Sequence, residues 1–417
     1  MELKAESKHA GIEPLPPEWD IKSVRELGTI KTGPFGTLLK AGEYSGRSGV
    51  PLVSVGEIGV GTFRITKETP LVPIAVLQRL PQYVLRTGDI VFGRKGAVDR
   101  SALVTSSQNG WFLGSDGISI RPSVSCYPPY LAFQFQRHQV QAWLRQNAVG
   151  TTMASLNQEV LGRITVPCAP LPEQHAIADA LSDVGVLIDT LDKLIAKKRD
   201  IKQAAMQQLF SGQVRLPSFS GKWEHVSLGT VGRWFSGGTP SMADDSYWSG
   251  DIPWVSPKDM KVSRLHDSID HVAPSAIGNG TRLLPTGAIL VVVRGMILAH
   301  SAPIARAERP VAFNQDIKGL VVKPGVDSNF VLWWLIAHEA LLLATTNEAT
   351  HGTKRIPTEA LFKLQIGLPD QREQSAIAAV VSDMDAEIAA LEQRREKTRL
   401  LKQGMMQELL TGRTRLV

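Results

Sequence analysis

The chain is written twice, and this repeat constrains its fold more than any other feature. Shifting the sequence by 200 residues lays Glu173–Leu216 on Glu373–Leu416 without a gap, and 19 of the 44 positions are identical. Average residue usage would leave roughly one match in twenty, so the stretch is a duplication. Glu173/Glu373, Gln174/Gln374, Ser182/Ser382, Lys202/Lys402, Gly212/Gly412 and Arg215/Arg415 are among the matches. The segments before them agree more loosely. Leu27-Gly28 has a counterpart in Leu228-Gly229, Val50–Ser54 in Ile252–Ser256, and Thr87–Ile90 in Thr286–Ile289, with an offset that drifts by a few residues. The order is therefore A1–B1–A2–B2, with parts at residues 1–171, 172–216, 217–368 and 369–417. Alike spacers carrying unlike globules suggest one scaffold with two specificities.

In the first spacer the apolar residues Ile177, Leu181, Val184, Ile188, Leu191 and Ile195 recur in a 4-3 rhythm, which then runs through Lys198 and Lys202 to Leu209. Ile377, Val381, Met384, Ile388 and Leu391 repeat it, passing Arg395 and Lys402 to Leu409. That spacing is the seam of a coiled coil. Each helix opens after a proline (Pro172, Pro369) and closes at a glycine, Gly212 or Gly412, as helix ends prefer. About 40 residues at 1.5 Å each give a rod of roughly 60 Å. The alternative is that each helix packs inside its own globule. Matching heptad phase favours pairing, and connectivity makes the pair antiparallel with one globule at each end. The expected fold is thus α+β: two globular domains separated by two long antiparallel coiled-coil helices, related by a pseudo-two-fold internal repeat.

Residues 18–168 and 222–368 alternate short β-type runs (Pro51–Val55, Ile90–Phe92, Gly117–Arg121, Ile289–Val293, Gly319–Val322) with Gly and Pro. One helix is expected late in each, over Pro129–Asn147 and Asn329–Thr345. Loops between such strands carry the specific chemistry. In the first domain they hold Ser54-Val55-Gly56-Glu57, Arg94-Lys95-Gly96 and Thr151-Thr152; in the second, Ser256-Pro257-Lys258-Asp259, Arg294-Gly295 and His351-Gly352-Thr353-Lys354-Arg355. Arg and Lys suit guanine edges, while Ser, Thr and backbone amides suit phosphates. Ser54, Gly56, Glu57, Arg94, Lys95, Thr151, Thr152, Ser256, Lys258, Asp259, Arg294, Thr353, Lys354 and Arg355 are therefore the candidate DNA-contacting residues.

The bulk numbers add bounds. With 46 Lys+Arg against 40 Asp+Glu the net charge is +6, which permits an anionic partner without requiring one. Only Cys126 and Cys168 occur, without metal-ligand spacing, so neither a disulfide framework nor a zinc site is expected. Met1–Pro17 lacks the apolar core of a signal peptide, and runs such as Ala288–Val293 are too short to span a bilayer. A cytoplasmic protein is expected.

With the repeat laid out, the chain strongly resembles the specificity subunit of type I restriction–modification systems. The resemblance is carried by the helix openings LPEQHAIADALSD and PDQREQSAIAAVVSD, the close LKQGMMQELLTGRTRL, and the entries SLGTVG, GGTPS, DIPWVSPKDM and NQDIKGL. It covers nearly the whole chain. It implies a subunit without catalytic residues that binds an asymmetric bipartite double-stranded DNA target. It also implies recruitment of two methyltransferase (M) subunits and of restriction (R) subunits. S-adenosylmethionine, ATP and Mg would then be cofactors of those partners only, and this chain would hold none. Where the second domain has GGTPS, the first has Gly33-Pro34-Phe35-Gly36-Thr37, a departure from the family pattern.

Enzyme readings fare poorly. Tyr127-Pro128-Pro129-Tyr130 is similar to the catalytic tetrapeptide of adenine methyltransferases, whose first residue is a polar Asn, Asp or Ser; Tyr127 does not fit. There is no GxxxxGK[ST] phosphate loop, HExxH, GxSxG or CxxC. Two other readings stand: the specificity subunit of a type IIB-like system, and a coiled-coil scaffold that binds proteins only.

Overall fold

The computed structural model describes residues 15–44, 48–150, 154–348 and 353–416. The chain divides into two compact units: one runs up to Leu191 and resumes from Arg394, and the other is Asp192–Gln393. Each takes one globular segment and a part of each long helix, Leu171–Phe210 and Gln371–Leu409.

In the first unit a four-stranded antiparallel sheet orders Gly28–Thr32, Gly117–Pro122, Ile90–Gly93 and Ser101–Leu103. Leu71–Val72, Val50–Val53 and Phe112–Leu113 form a second, in which the last two run parallel. Ile90-Val91-Phe92 is an unbroken apolar run because both its faces are covered. Ile90 and Phe92 join the core beneath the helix Pro128–Gln136, while Val91 joins the core around the second sheet. Phe92 meets Phe135 edge-on at 4.8 Å.

The second unit repeats this plan. Gly232–Ser236, Ile317–Val322, Ile289–Val292, Ile304–Ala307 and Arg264–Leu265 form one sheet; Asp270–Val272, Ile252–Val255, Val311–Phe313 and Leu283–Leu284 form another. The late helices end earlier than their composition suggests. Pro128–Gln136 stops at Arg137, whose backbone turns extended, and His138–Asn147 starts anew. Ser328–Ala337 stops at His338, whose ring Nδ1 lies 2.8 Å from Trp334 O and competes for a helical carbonyl; Glu339–Ala344 follows. Each expected single helix is thus two.

The long helices keep their rhythm but use it in two ways. Their ends join the globular cores: Ile177, Leu181, Leu409 and Leu410 pack with Trp19 and Tyr130 in the first unit. In the second, Leu209, Phe210, Ile377 and Val381 pack with Phe330 and Trp333. Leu191, Ile195 and Ile388 are buried in the helix bodies. In the second unit the basic seam positions are filled by ion pairs, Lys198 with Glu387 at 2.7 Å and Lys202 with Asp385, joined by Arg199 with Glu392. From Lys198 to Lys202 the partner falls from Glu387 to Asp385, so the paired parts are antiparallel. Lys202 and Lys402 also lie over the rings of Trp333 and Phe133, at 4.3 and 5.3 Å. The seam lysines are therefore engaged within the units.

The identical residues of the repeat close each unit. Arg215 donates from Nε and Nη2 to the buried Glu373 carboxylate at 2.5 and 2.6 Å. In the first unit Arg415 grips Glu173 in the same way at 2.6 and 2.9 Å, and Trp19 Nε1 donates to that carboxylate at 2.9 Å. Gln174 Nε2 donates to Ala169 O, and Gln374 Nε2 to Pro369 O. Gly212 and Gly412 take φ of 69° and 75° just past the helix ends, where a left-handed residue lets the chain turn back and set the arginine. Among the described residues, no helix is long and apolar enough to cross a membrane.

Candidate nucleic-acid interface

In the first unit four loops meet at one end of the main sheet. Gly114 N donates to Val53 O at 2.8 Å and Arg94 N to Asp116 O at 2.7 Å, which ties the Ser54 and Arg94 loops to the turn at 114–116. The Arg94 guanidinium donates to Ser115 O at 3.3 Å, and Lys95 Nζ lies 3.3 Å from Asp116 Oδ1. Leu156 N donates to Arg94 O and Gly96 N to Ala154 O, so the chain after residue 153 lies against the same loop. Thr151 and Thr152 lie outside the described residues.

The second unit builds the same frame. Asn314 N donates to Val255 O at 2.9 Å, and Val293 N and Arg294 N both donate to Asp316 O. Arg294 Nη1 faces Asp316 Oδ1 at 3.6 Å, and that buried oxygen accepts no hydrogen bond. Gly295 N donates to Lys354 O at 3.0 Å, which brings the hairpin of Asn347–Glu348 and Lys354–Arg355 against the arginine loop. Thr353, Lys354 and Arg355 are part-buried, part-buried and exposed, and Lys354 Nζ lies 3.9 Å from Glu348 Oε2. His351 and Gly352 lie outside the described residues.

The loop residues divide by what their side chains do. Ser54 and Glu57 form a capping box, with Ser54 N donating to Glu57 Oε2 at 3.0 Å. Asp259 accepts from Ser256 N and Oγ through one oxygen and from Ile269 N through the other, and Ser256 is itself buried. These four shape their loops. Exposed Gly56 leaves open space above the first loop. Lys258 is drawn to Asp270 at 2.7 Å, and that hydrogen bond holds its ammonium above the ordinary lysine range. Half-exposed Arg94, Lys95 and Arg294, with exposed Arg355, are left to present cationic donors outward.

Three residues that the loop composition did not single out complete the clusters. Asp116 and Asp316 back the two arginines, and they stand 200 residues apart, as do Arg94 and Arg294. The 200-residue offset of the helices, carried into the domains, would have found both pairs. Lys318 follows Asp316, donates to Ser236 Oγ at 2.7 Å, and has its pKa lowered first by burial and then by Arg355. It adds positive charge to the second cluster. Among the described residues no group of three or more His, Cys, Asp or Glu is placed to hold a metal.

The type I restriction modification DNA specificity domain matches this chain twice, over residues 16–198 and 220–401. The chain belongs to that family. Its relatives include the type I restriction enzyme EcoR124I/EcoR124II specificity subunit of Escherichia coli, 28% identical over 54% of this chain and 55% of that one. The MjaX specificity subunit of Methanocaldococcus jannaschii is 25% identical over 98% of this chain and 96% of its own length. Among solved structures, a type I restriction–modification S subunit from M. genitalium superposes with a TM-score of 0.59 at 14% identity, over 97% of this chain and 98% of that one. A chain solved to explain complex assembly and conformational transition in a type I system gives 0.58 at 18%, over 96% and 100%. Both share the fold: α+β, with an internal repeat of domain and long helix. As a family member this chain is a DNA-specificity subunit of a type I system.

Proposed function

We propose that this chain reads an asymmetric bipartite DNA target, one half through the Arg94 cluster and the other through the Arg294 cluster. It brings modification and restriction subunits to that target and catalyses neither reaction. The observation that carries this reading is the frame repeated in both units with unlike loops on it. The backbone N–H groups of Arg94 and Arg294 are held alike by Asp116 O and Asp316 O, while the neighbouring segments Ser54–Glu57 and Ser256–Asp259, and Gly33–Thr37 and Gly237–Ser241, differ. A fixed frame with different side chains is what two different half-sites require, because base edges rather than phosphates carry sequence.

On this reading S-adenosylmethionine, ATP and Mg belong to the partners, which are two methyltransferase subunits and the restriction subunits, all in the cytoplasm. The long helices offer docking surface in each unit, Val186, Leu400 and Leu401 standing exposed in the first and Ile201 in the second. Changing these four to Gln is expected to abolish capture of the methyltransferase subunit while leaving the preferred DNA target unchanged. The DNA-reading role is tested by mapping adenine methylation genome-wide in cells with the modification subunit, with and without this chain. One bipartite motif that vanishes with the chain supports the assignment, and methylation indifferent to its loss refutes it.

A further inference from the structure

We propose that Phe35 is a specificity-determining residue of the first unit, and that its ring contacts the C5-methyl of a thymine beside the guanine taken by Arg94. The proposal rests on the DNA-reading role above and names the chemistry of one position in it. Phe35 is the one aromatic among the strongly exposed large apolar side chains of the described residues, at 59% exposure. It does not sit on a loose tip. Gly33 N donates to Gly117 O at 3.0 Å, and a Cβ on Gly33 would lie 1.7 Å from Gly114 O, so only glycine lets the chain press this close to the 114–116 turn. Leu38 N and Leu39 N both donate to Phe35 O, and Leu39 is buried in the core. Phe35 is thus held at the head of a turn anchored on both sides, with its ring presented to water.

The ring has a partner in the candidate interface: the Arg94 guanidinium carbon lies 5.5 Å from its centroid. Such stacking fixes the direction of an arginine and strips water from one of its faces. In the second unit Gly237 packs in the same way, its would-be Cβ 2.2 Å from Asn314 O, and two residues on stands Thr239. Thr239 Oγ1 donates to Gln315 Oε1 at 2.6 Å. One position on the shared frame therefore carries an aromatic ring against a guanidinium in one unit and a hydroxyl against an amide in the other. The thymine methyl is the apolar feature that the major groove offers, and the guanine edge takes arginine bidentately. Bases follow one another at about 3.4 Å along a strand, so a ring stacked on the arginine reaches the next base pair.

The test uses the full chain with its modification subunit, on the duplex whose target has been mapped. Each thymine of the first half-site is replaced in turn by deoxyuridine, which removes only the methyl, and binding is measured at fixed salt for the native chain, Phe35→Ala and Phe35→Leu. One replacement beside a guanine is expected to weaken native binding about fourfold, the worth of one buried methyl-sized group. The same replacement should leave Phe35→Ala unchanged and Phe35→Leu partly sensitive. Equal effects on all three proteins at every thymine overturn the proposal, as does a half-site with no thymine next to a guanine. In both cases a target that still depends on this chain shows that the DNA-reading role stands, whereas loss of all sequence preference in the native chain refutes that role itself.

Discussion

Replacing the twin lysines Lys202 and Lys402 by methionine is expected to have unequal consequences, although the two occupy the same position of the repeat. Lys202 stands over Trp333 at 4.3 Å and is ion-paired with Asp385, with side-chain exposures of only 15% and 33%. Lys402 stands over Phe133 at 5.3 Å, but the residue aligned with Asp385 is Gly185, whose would-be Cβ lies 2.9 Å from Lys402 Nζ. Removing Lys202 forfeits a charge-assisted hydrogen bond of about 1.5–3 kcal/mol and a cation–π contact of about 0.5–2 kcal/mol. It also leaves Asp385 with Ser263 Oγ at 3.4 Å. Apolar gain from methionine offsets part, for a net loss of about 2 kcal/mol. For a unit of this size 1 kcal/mol corresponds to about 2–4 °C, so the second unit should melt about 4–8 °C lower. Lys402→Met removes a desolvated ammonium whose pKa burial already lowers and keeps the stem packed on Phe133, so its change should stay within about 0.5 kcal/mol. Hydrogen exchange of peptides covering 128–136 and 328–337, with calorimetry, resolves the two units. In a Gly185→Asp background, which supplies the missing acid, Lys402→Met should become destabilising. Equal losses for both single substitutions would refute the reasoning. The pH dependence has a definite sign. The unfolded chain holds the Lys402 proton more tightly than the folded one, so stability of the first unit should rise with pH from the lowered pKa up to the ordinary lysine value. Lys402→Met should flatten that rise.

Arg294→Ala should weaken DNA binding by about 1–3 kcal/mol and relax one base position of the second half-site only; equal weakening on every sequence, read by competition binding, would reduce Arg294 to a phosphate contact. Burial pushes the Cys126 thiol up to about 12, so it should resist iodoacetamide at pH 8 in the native protein and react on unfolding, which mass spectrometry follows. Arg415→Met should release the C-terminal segment from Glu173 and Glu18, increasing its hydrogen exchange and tryptic cleavage at Arg413 without altering exchange in residues 222–368.

The repeat and the long helices were legible because the residues that build them are local and identical: the 4-3 rhythm, the glycine past each end, and the Glu and Arg 42 positions apart in both copies. What the Glu and Arg do was not legible, since each arginine closes on the glutamate of the other copy, Arg215 on Glu373 and Arg415 on Glu173. Sheet order was equally hidden, because Gly28–Thr32 pairs with Gly117–Pro122 across a stretch that holds other strands, and no local pattern says which strand pairs with which. The loops were found by their Gly, Ser and Lys content, and the structure brings those around Arg94 together in one unit and those around Arg294 in the other. Composition did not separate Ser54, Glu57, Ser256 and Asp259, which satisfy one another, from the residues that face outward. Nor did the seam reveal that Lys198 and Lys202 meet Glu387 and Asp385, because an ion pair between helices has no imprint on either one alone.

Each unit is expected to read its own half of the target. This is tested most directly by exchanging residues 18–168 for the matching segment of a relative with a different target and mapping adenine methylation in cells that carry the modification subunit. One half of the methylated motif is expected to change to the relative's and the other half to stay untouched. A motif that changes in both halves, or in neither, contradicts that expectation.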